Sequence, residues 1–383
     1  MMKTNLKKVW KALSMMLAVV LLVGTVGLQA LAEEDESGTN GTGSSNTVTL
    51  YKYLTMDKNA NVPNATFKFS IAQGTAIDAT NSTPKVERGV IEAVKFIGAN
   101  SDGTVNITFG PGDNTEEIAS TNQKKAKKEI KVEIDVTKFS APGIYRYVVT
   151  ETDTNNQGVT NDGPKDRVLD VYIKSDDAGV LSFQSAVLHK GTEIKDGENE
   201  TYGDNKSNSF TNEYKTADLT ISKTVTGNQG FRSKYFQFTV NITGAVAGTI
   251  YTVDLSNAAA SVNGNQNPSA LTVGTNGSVT GNFYLKHGDS IVIQGLTENT
   301  QYVVSEDNED YKASCQIGTA AAVDKNTTDT QTMGNTDVTV SFTNHREGTV
   351  PTGILVDVAP YILIFLLAGA GFVVLFGRKR RKA

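Results

Sequence analysis

Short stretches in which apolar and polar residues strictly alternate recur from residue 48 to residue 344, separated by Asn, Asp and Gly turns. They occupy 48–53, 66–71, 104–109, 129–136, 144–151, 168–173, 180–188 and 209–213. A second series runs through 219–225, 236–242, 278–284, 290–294, 302–306, 312–317 and 338–344. A period of two over four to eight residues specifies half-buried strands, and many of them at short spacing specify β-sandwiches. The expectation is an all-β chain of two tandem immunoglobulin-like sandwiches. Only 121–127 (TNQKKAK) offers even a weak helix outside the chain ends.

The two series repeat one another. Leu50-Tyr51-Lys52 corresponds to Ile221-Ser222-Lys223, and each is followed by an aromatic strand, FKFSI at 67–71 and FQFTV at 236–240. Tyr147-Val148-Val149-Thr150-Glu151 corresponds to Tyr302-Val303-Val304-Ser305-Glu306, and Ser209-Phe210-Thr211-Asn212 to Ser341-Phe342-Thr343-Asn344. Repetition at this length implies two homologous domains, 47–215 and 216–346.

Both ends read as processing signals. Residues 1–32 hold Lys3, Lys7, Lys8 and Lys11, then an apolar run, then Ala30-Leu31-Ala32, the layout of a secretory signal peptide. Residues 33–46 are acidic, then Gly/Ser/Thr-rich, a disordered leader. At the other end 358–376 carries no charge and Arg378-Lys379-Arg380-Arg381-Lys382 follows, so 354–383 reads as a hydrophobic anchor with a basic tail. Without both ends, 27 basic residues face 40 acidic ones, a net charge of −13. Such a surface excludes nucleic acid and anionic membranes as partners. Cys315 is the one cysteine, so no internal disulfide can brace this exported chain.

Alternation turns Lys52, Glu151 and Asn212 toward the same side as their apolar neighbours, and Lys223, Glu306 and Asn344 likewise. A buried charge must pair, neutralise or react. Three fates are open: each polar group ends its strand and reaches solvent, the Lys and Glu form a buried ion pair, or Lys and Asn condense to an amide. In the last, burial yields a neutral Lys nucleophile, and Glu polarises the Asn carbonyl and passes a proton to departing ammonia. Two sets in the same order favour the covalent fate. Enzyme chemistry on an outside substrate lacks parts. His189, His287 and His345 have no metal-ligand spacing, and no nucleophile elbow, phosphate loop or dinucleotide fingerprint is present. Neither cofactor nor metal is expected.

The Lys strand, the YxVxE segment and the FTN strand resemble the isopeptide-linkage domains of T-antigen-type backbone pilins of Gram-positive bacteria. The resemblance covers 47–346 and is strongest in the second domain (LTISKTVTG, FRSKYFQF, YVVSED, VSFTN). It implies Lys52–Asn212 and Lys223–Asn344 bonds assisted by Glu151 and Glu306. The segment 347–353 ends in Thr349-Val350-Pro351-Thr352-Gly353, similar to the sorting signals of those pilins. It implies that a sortase cleaves between Thr352 and Gly353, within a motif that includes Val350 and Pro351, and passes the acyl group to a lysine on another copy. Lys206, just before the last strand of the first domain, is the expected acceptor, with Lys190 and Lys195 next. The expected product is the shaft of a wall-anchored pilus, with copies of the chain joined head to tail and with minor pilins and peptidoglycan as further partners. The alternative is a wall-anchored adhesin or minor pilin, whose host-binding site would lie in 74–128 beside the basic 124–128 patch.

Overall fold

The computed structural model describes residues 45–81, 84–153, 155–189, 206–349, 361–368 and 370. The signal peptide, nearly all of the leader, Val350, Pro351, Thr352, Gly353, Lys190 and Lys195 lie outside these residues, as does most of the anchor. Among the described residues, no helix is long and apolar enough to cross a membrane.

Two pairs of sheets enclose two separate apolar cores. One core runs from Val48 to Tyr214, the other from Ala217 to Phe342. In the first unit, one sheet places Val94–Phe96, Gln123–Asp135, Ser45–Asp57, Ser209–Tyr214 and Val159–Thr160 side by side. The other orders Lys206–Ser207, Leu181–His189, Asp166–Ser175, Gly143–Thr152, Ala65–Gln73 and Val105–Phe109. In the second unit, the larger sheet orders Ala270–Thr272, Ile250–Asn257, Ser290–Leu296, Ala217–Thr226, Val338–His345 and Lys312–Ile317. The smaller orders Val279–Leu285, Phe236–Thr243, Gln301–Glu306 and Gln331–Thr332. Strict burial alternation along Ala217–Thr226 shows how the sequence period becomes a two-faced strand.

The feature that matters for function is the closure of each unit. The first strand, Ser45–Asp57, pairs parallel with the last, Ser209–Tyr214. Ala217–Thr226 pairs parallel with Val338–His345 in the same way. The register also repeats: Lys52 lies opposite Phe210 and Lys223 opposite Phe342. In each case the Asn stands two residues further along, on the same face as the Phe.

The weak helix expected at 121–127 is not there. Residues Gln123–Asp135 form one long strand against Ser45–Asp57. Its lysines cover aromatic surface instead of one face of a helix: Lys127 Nζ sits 4.0 Å from the Tyr51 ring centroid and Lys125 Nζ 5.2 Å from that of Tyr53. Cross-strand packing overrode the helix propensity of a Lys-rich run.

The two units meet at a defined joint. Asn61 donates to the Ile250 carbonyl at 2.8 Å and to Thr252 Oγ1 at 2.9 Å. Asn64 and Gln157 donate to the carbonyls of Ala247 and Gly244, each at 3.1 Å. Gly158 has φ +74°, and a Cβ there would stand 2.5 Å from Thr297 Cγ2. Glycine is required at that approach.

Candidate functional site: two buried Lys–Glu–Asn sets

Each set lies between the sheets of its unit. Lys52 and Asn212 come from neighbouring parallel strands of one sheet, and Glu151 from a strand of the facing sheet. Lys223, Asn344 and Glu306 have the same origins. All six are sealed: Lys52, Asn212 and Asn344 are 0% exposed, Lys223 1%, Glu151 and Glu306 3%. The solvent-reaching fate considered for single strand ends does not apply to any of them.

In the first set, Lys52 Nζ lies 2.9 and 2.8 Å from the two Glu151 oxygens. Asn212 Nδ2 donates to Glu151 Oε1 at 2.6 Å. One carboxylate oxygen therefore touches both the amine and the carboxamide nitrogen. In the second set, Lys223 Nζ is in ion-pair contact with Glu306 Oε1, and Asn344 Nδ2 donates to that same oxygen at 2.9 Å.

An aromatic sheath excludes water. Lys52 Nζ sits 4.5 Å from the Phe67 ring centroid, and Phe69 meets Phe210 edge to face at 5.1 Å. Lys223 Nζ sits 4.6 Å from Phe236, and Phe238 meets Phe342 edge to face at 5.2 Å. The repeated FKF and FQF strands supply this sheath. Burial pulls both amines down to about 8, against the opposing pull of the carboxylate beside each. Burial also pushes the Glu306 carboxyl up, again opposed by its Lys. Such groups approach proton exchange near neutral pH, where an exposed Lys–Glu pair would stay fully charged.

Sequence reading named these six residues and missed three neighbours. The Asp162 backbone N–H donates to Asn212 Oδ1 at 2.8 Å, Asn161 Oδ1 accepts from Asn212 Nδ2 at 3.1 Å, and Arg167 pairs with the Asp162 carboxylate. They lie on and after a Thr-Asn-Asp-Gly-Pro turn whose sequence signals only a turn. A further buried cluster, Arg146 bidentate on Asp170 at 2.8 Å with His189 at 3.2 Å, lies away from the Lys–Glu–Asn set.

Lys206 is exposed. Lys206–Ser207 is a short edge strand opposite Leu188 and His189. Of the four lysines in 124–128, two have carboxylate partners: Lys128 pairs with Asp113 at 2.5 Å and Lys125 with Glu116 at 3.7 Å.

Known proteins resemble this chain over both units. Residues 48–215 match the family of the Spy0128-like isopeptide containing domain, and 217–346 match a domain of unknown function, DUF7601. A pilin of Streptococcus pyogenes serotype M1 is 28% identical over 341 residues, which cover 85% of this chain and 88% of the pilin. The pilus tip adhesin Cpa of Streptococcus pyogenes is 33% identical over 150 residues, but these are 37% of this chain and 18% of the adhesin. The crystal structure of the major pilin from Streptococcus pyogenes superposes with a TM-score of 0.51 at 24% identity, over 81% of this chain and all of that one, so the fold is shared. The first unit thus matches an isopeptide-domain family, and the likeness to the Streptococcus pyogenes pilin supports a backbone pilin, a structural subunit of a surface pilus, as the reading of the whole chain.

Proposed function

We propose that each unit closes itself with a Lys–Asn amide and that a sortase then joins the finished subunits through Thr352 into a covalent shaft. The bonds are Lys52–Asn212, assisted by Glu151, and Lys223–Asn344, assisted by Glu306. The observation that carries the reading is the repeated register: parallel first and last strands, Lys opposite Phe, Asn two residues on, and one Glu oxygen touching both reacting nitrogens.

The chemistry follows from those contacts. A neutral Lys amine attacks the Asn carbonyl carbon, Glu takes the proton from the amine and returns it to the carboxamide nitrogen, and ammonia leaves. The product amide carries no charge, so condensation also removes the buried ion pair. Nothing external is turned over, and the chain is no enzyme in the usual sense.

The shaft role follows from topology. Because first and last strands are parallel, a pull on the two termini of a unit shears one strand past the other. A bond between them passes that load directly across. For polymerisation, the reading joins Thr352 of one copy to Lys206 of the next, with adhesin-bearing minor pilins and peptidoglycan at the ends of the fibre. The resemblance to a pilus tip adhesin spans too little of either chain to favour a host-binding role.

The intact mass of the mature protein tests the bonds: the sequence mass less two ammonia molecules is expected, and the full sequence mass would refute them. Deleting 349–353 tests the assembly: pilin is expected as free monomer, and fibres that still formed would refute sortase joining at this motif.

A further inference from the structure

We propose that the backbone amide of Asp162 is the oxyanion donor for amide formation at the first site, and that Arg167 is the positioning residue that holds it there. The inference rests on the self-crosslinking reading of Lys52, Glu151 and Asn212, and supplies a group which that reading lacks.

The Asp162 N–H lies 2.8 Å from Asn212 Oδ1. A backbone N–H can only donate, so the atom facing it is the carboxamide oxygen. That contact fixes the orientation of the side chain and places Nδ2 on Glu151 Oε1 at 2.6 Å. The two ends of the carboxamide thus face two different groups. When neutral Lys52 Nζ bonds to Cγ, the carbonyl electron pair moves onto Oδ1, where the Asp162 N–H is already aimed. The Lys52 proton passes through Glu151 to Nδ2, the Cγ–Nδ2 bond breaks as the carbonyl re-forms, and ammonia departs. Glu151 cannot also polarise the carbonyl, because it sits on the nitrogen side. Fixed donors at the developing oxyanion, in a site sealed from solvent, are among the strongest contributions to acyl transfer.

Asp162 is locked in place from its own side chain. Its carboxylate accepts the Thr211 N–H at 2.7 Å and pairs with the Arg167 guanidinium. Arg167 is 2% exposed, lies 4.4 Å over the Phe210 ring and donates to Ser207 Oγ at 3.0 Å. Burying a guanidinium is costly, and an ordinary turn does not need one. Asp162 is thereby held to Thr211 by its side chain and to Asn212 by its amide, on adjacent residues of the last strand. The second site differs: among the described residues Asn344 Oδ1 has no hydrogen-bond partner. It therefore serves as an internal control in the same molecule.

The test uses the full chain, produced and held in denaturant, then refolded, with each crosslink followed over time by intact mass and tryptic mapping. Replacing the amide nitrogen of residue 162 by an ester oxygen removes the donor and leaves every side chain in place. The Lys52–Asn212 bond should then form about a hundredfold more slowly, with Lys223–Asn344 unchanged. Arg167→Met should slow the same bond, and Arg167→Lys should recover part of the rate. A wild-type rate for the first bond in the ester variant would overturn the proposal. Equal slowing of both bonds would reject it too, as a general folding defect. Failure of the wild type itself to lose the first ammonia would sink the self-crosslinking reading beneath it, a result distinct from either.

Discussion

A lysine amine held near 8 and a carboxamide nitrogen on one carboxylate oxygen describe a reaction waiting for a proton to move. Only the neutral amine attacks, and below its pKa the neutral fraction rises tenfold per pH unit. During refolding, the rate of ammonia loss should therefore climb from pH 6 to 8 and level off above about 8. A rate that fell across that range would reject the neutral-amine route. Asn344→Ala isolates the bond from the ion pair, because Lys223 and Glu306 remain in contact. That variant should regain the mass of one ammonia molecule at its site. Closing a loop of more than 100 residues, as a bond from 223 to 344 would, constrains the unfolded chain by about 5 kcal/mol on the disulfide analogy. The second unit should then melt on the order of 10–20 °C lower than in the wild type, as read by calorimetry.

At the scale of strands, period-two alternation made the fold legible, because each half-buried strand writes its two faces into the sequence. The repeat made the six site residues legible, since a polar type recurring at matched apolar-facing positions is hard to explain as surface. What stayed hidden was anything set by turns and by pairing partners. The parallel closure of each unit depends on which strands become neighbours, and alternation carries no such information. Asp162 acts through its backbone, which no side-chain pattern records. The first half of the Gln123–Asp135 strand hid behind a Lys-rich run whose lysines lie on tyrosines of the neighbouring Ser45–Asp57 strand. The edge strand Lys206–Ser207 bears on polymerisation. Ser207 Oγ accepts from Arg167 and Lys206 pairs with His189, so the expected acceptor is tied to the first unit while its side chain remains exposed. Tryptic mass spectrometry of purified fibres should find a branched peptide joining Thr352 to Lys206. A branch at any other lysine would remove Lys206 from this role.

For the whole molecule, the parallel closures define a path for force. With the proposed Lys52–Asn212 and Lys223–Asn344 bonds in place, tension entering at residue 45 would run along the first strand to Lys52, cross to Asn212, and continue through the joint to Lys223. It would then cross to Asn344 and leave at residue 349. Most of each unit lies off this path, so the loaded backbone is 45–52, 212–223 and 344–349. The Asn61 and Asn64 hydrogen bonds and the close approach at Gly158 brace the joint beside it. Without the bonds, the same pull would peel the first and last strands apart by shear and release the units. The 120 residues between Lys223 and Asn344 would then add about 400 Å of extended chain. Pulled singly between residues 45 and 349, the wild-type chain should stretch as a short tether with no unfolding step. Asn344→Ala should add one step near that length, less the span of the folded unit, and leave the first unit silent. A step of that size in the wild type would show that load passes through the sheets, and the shaft would have to owe its strength to something other than its internal bonds.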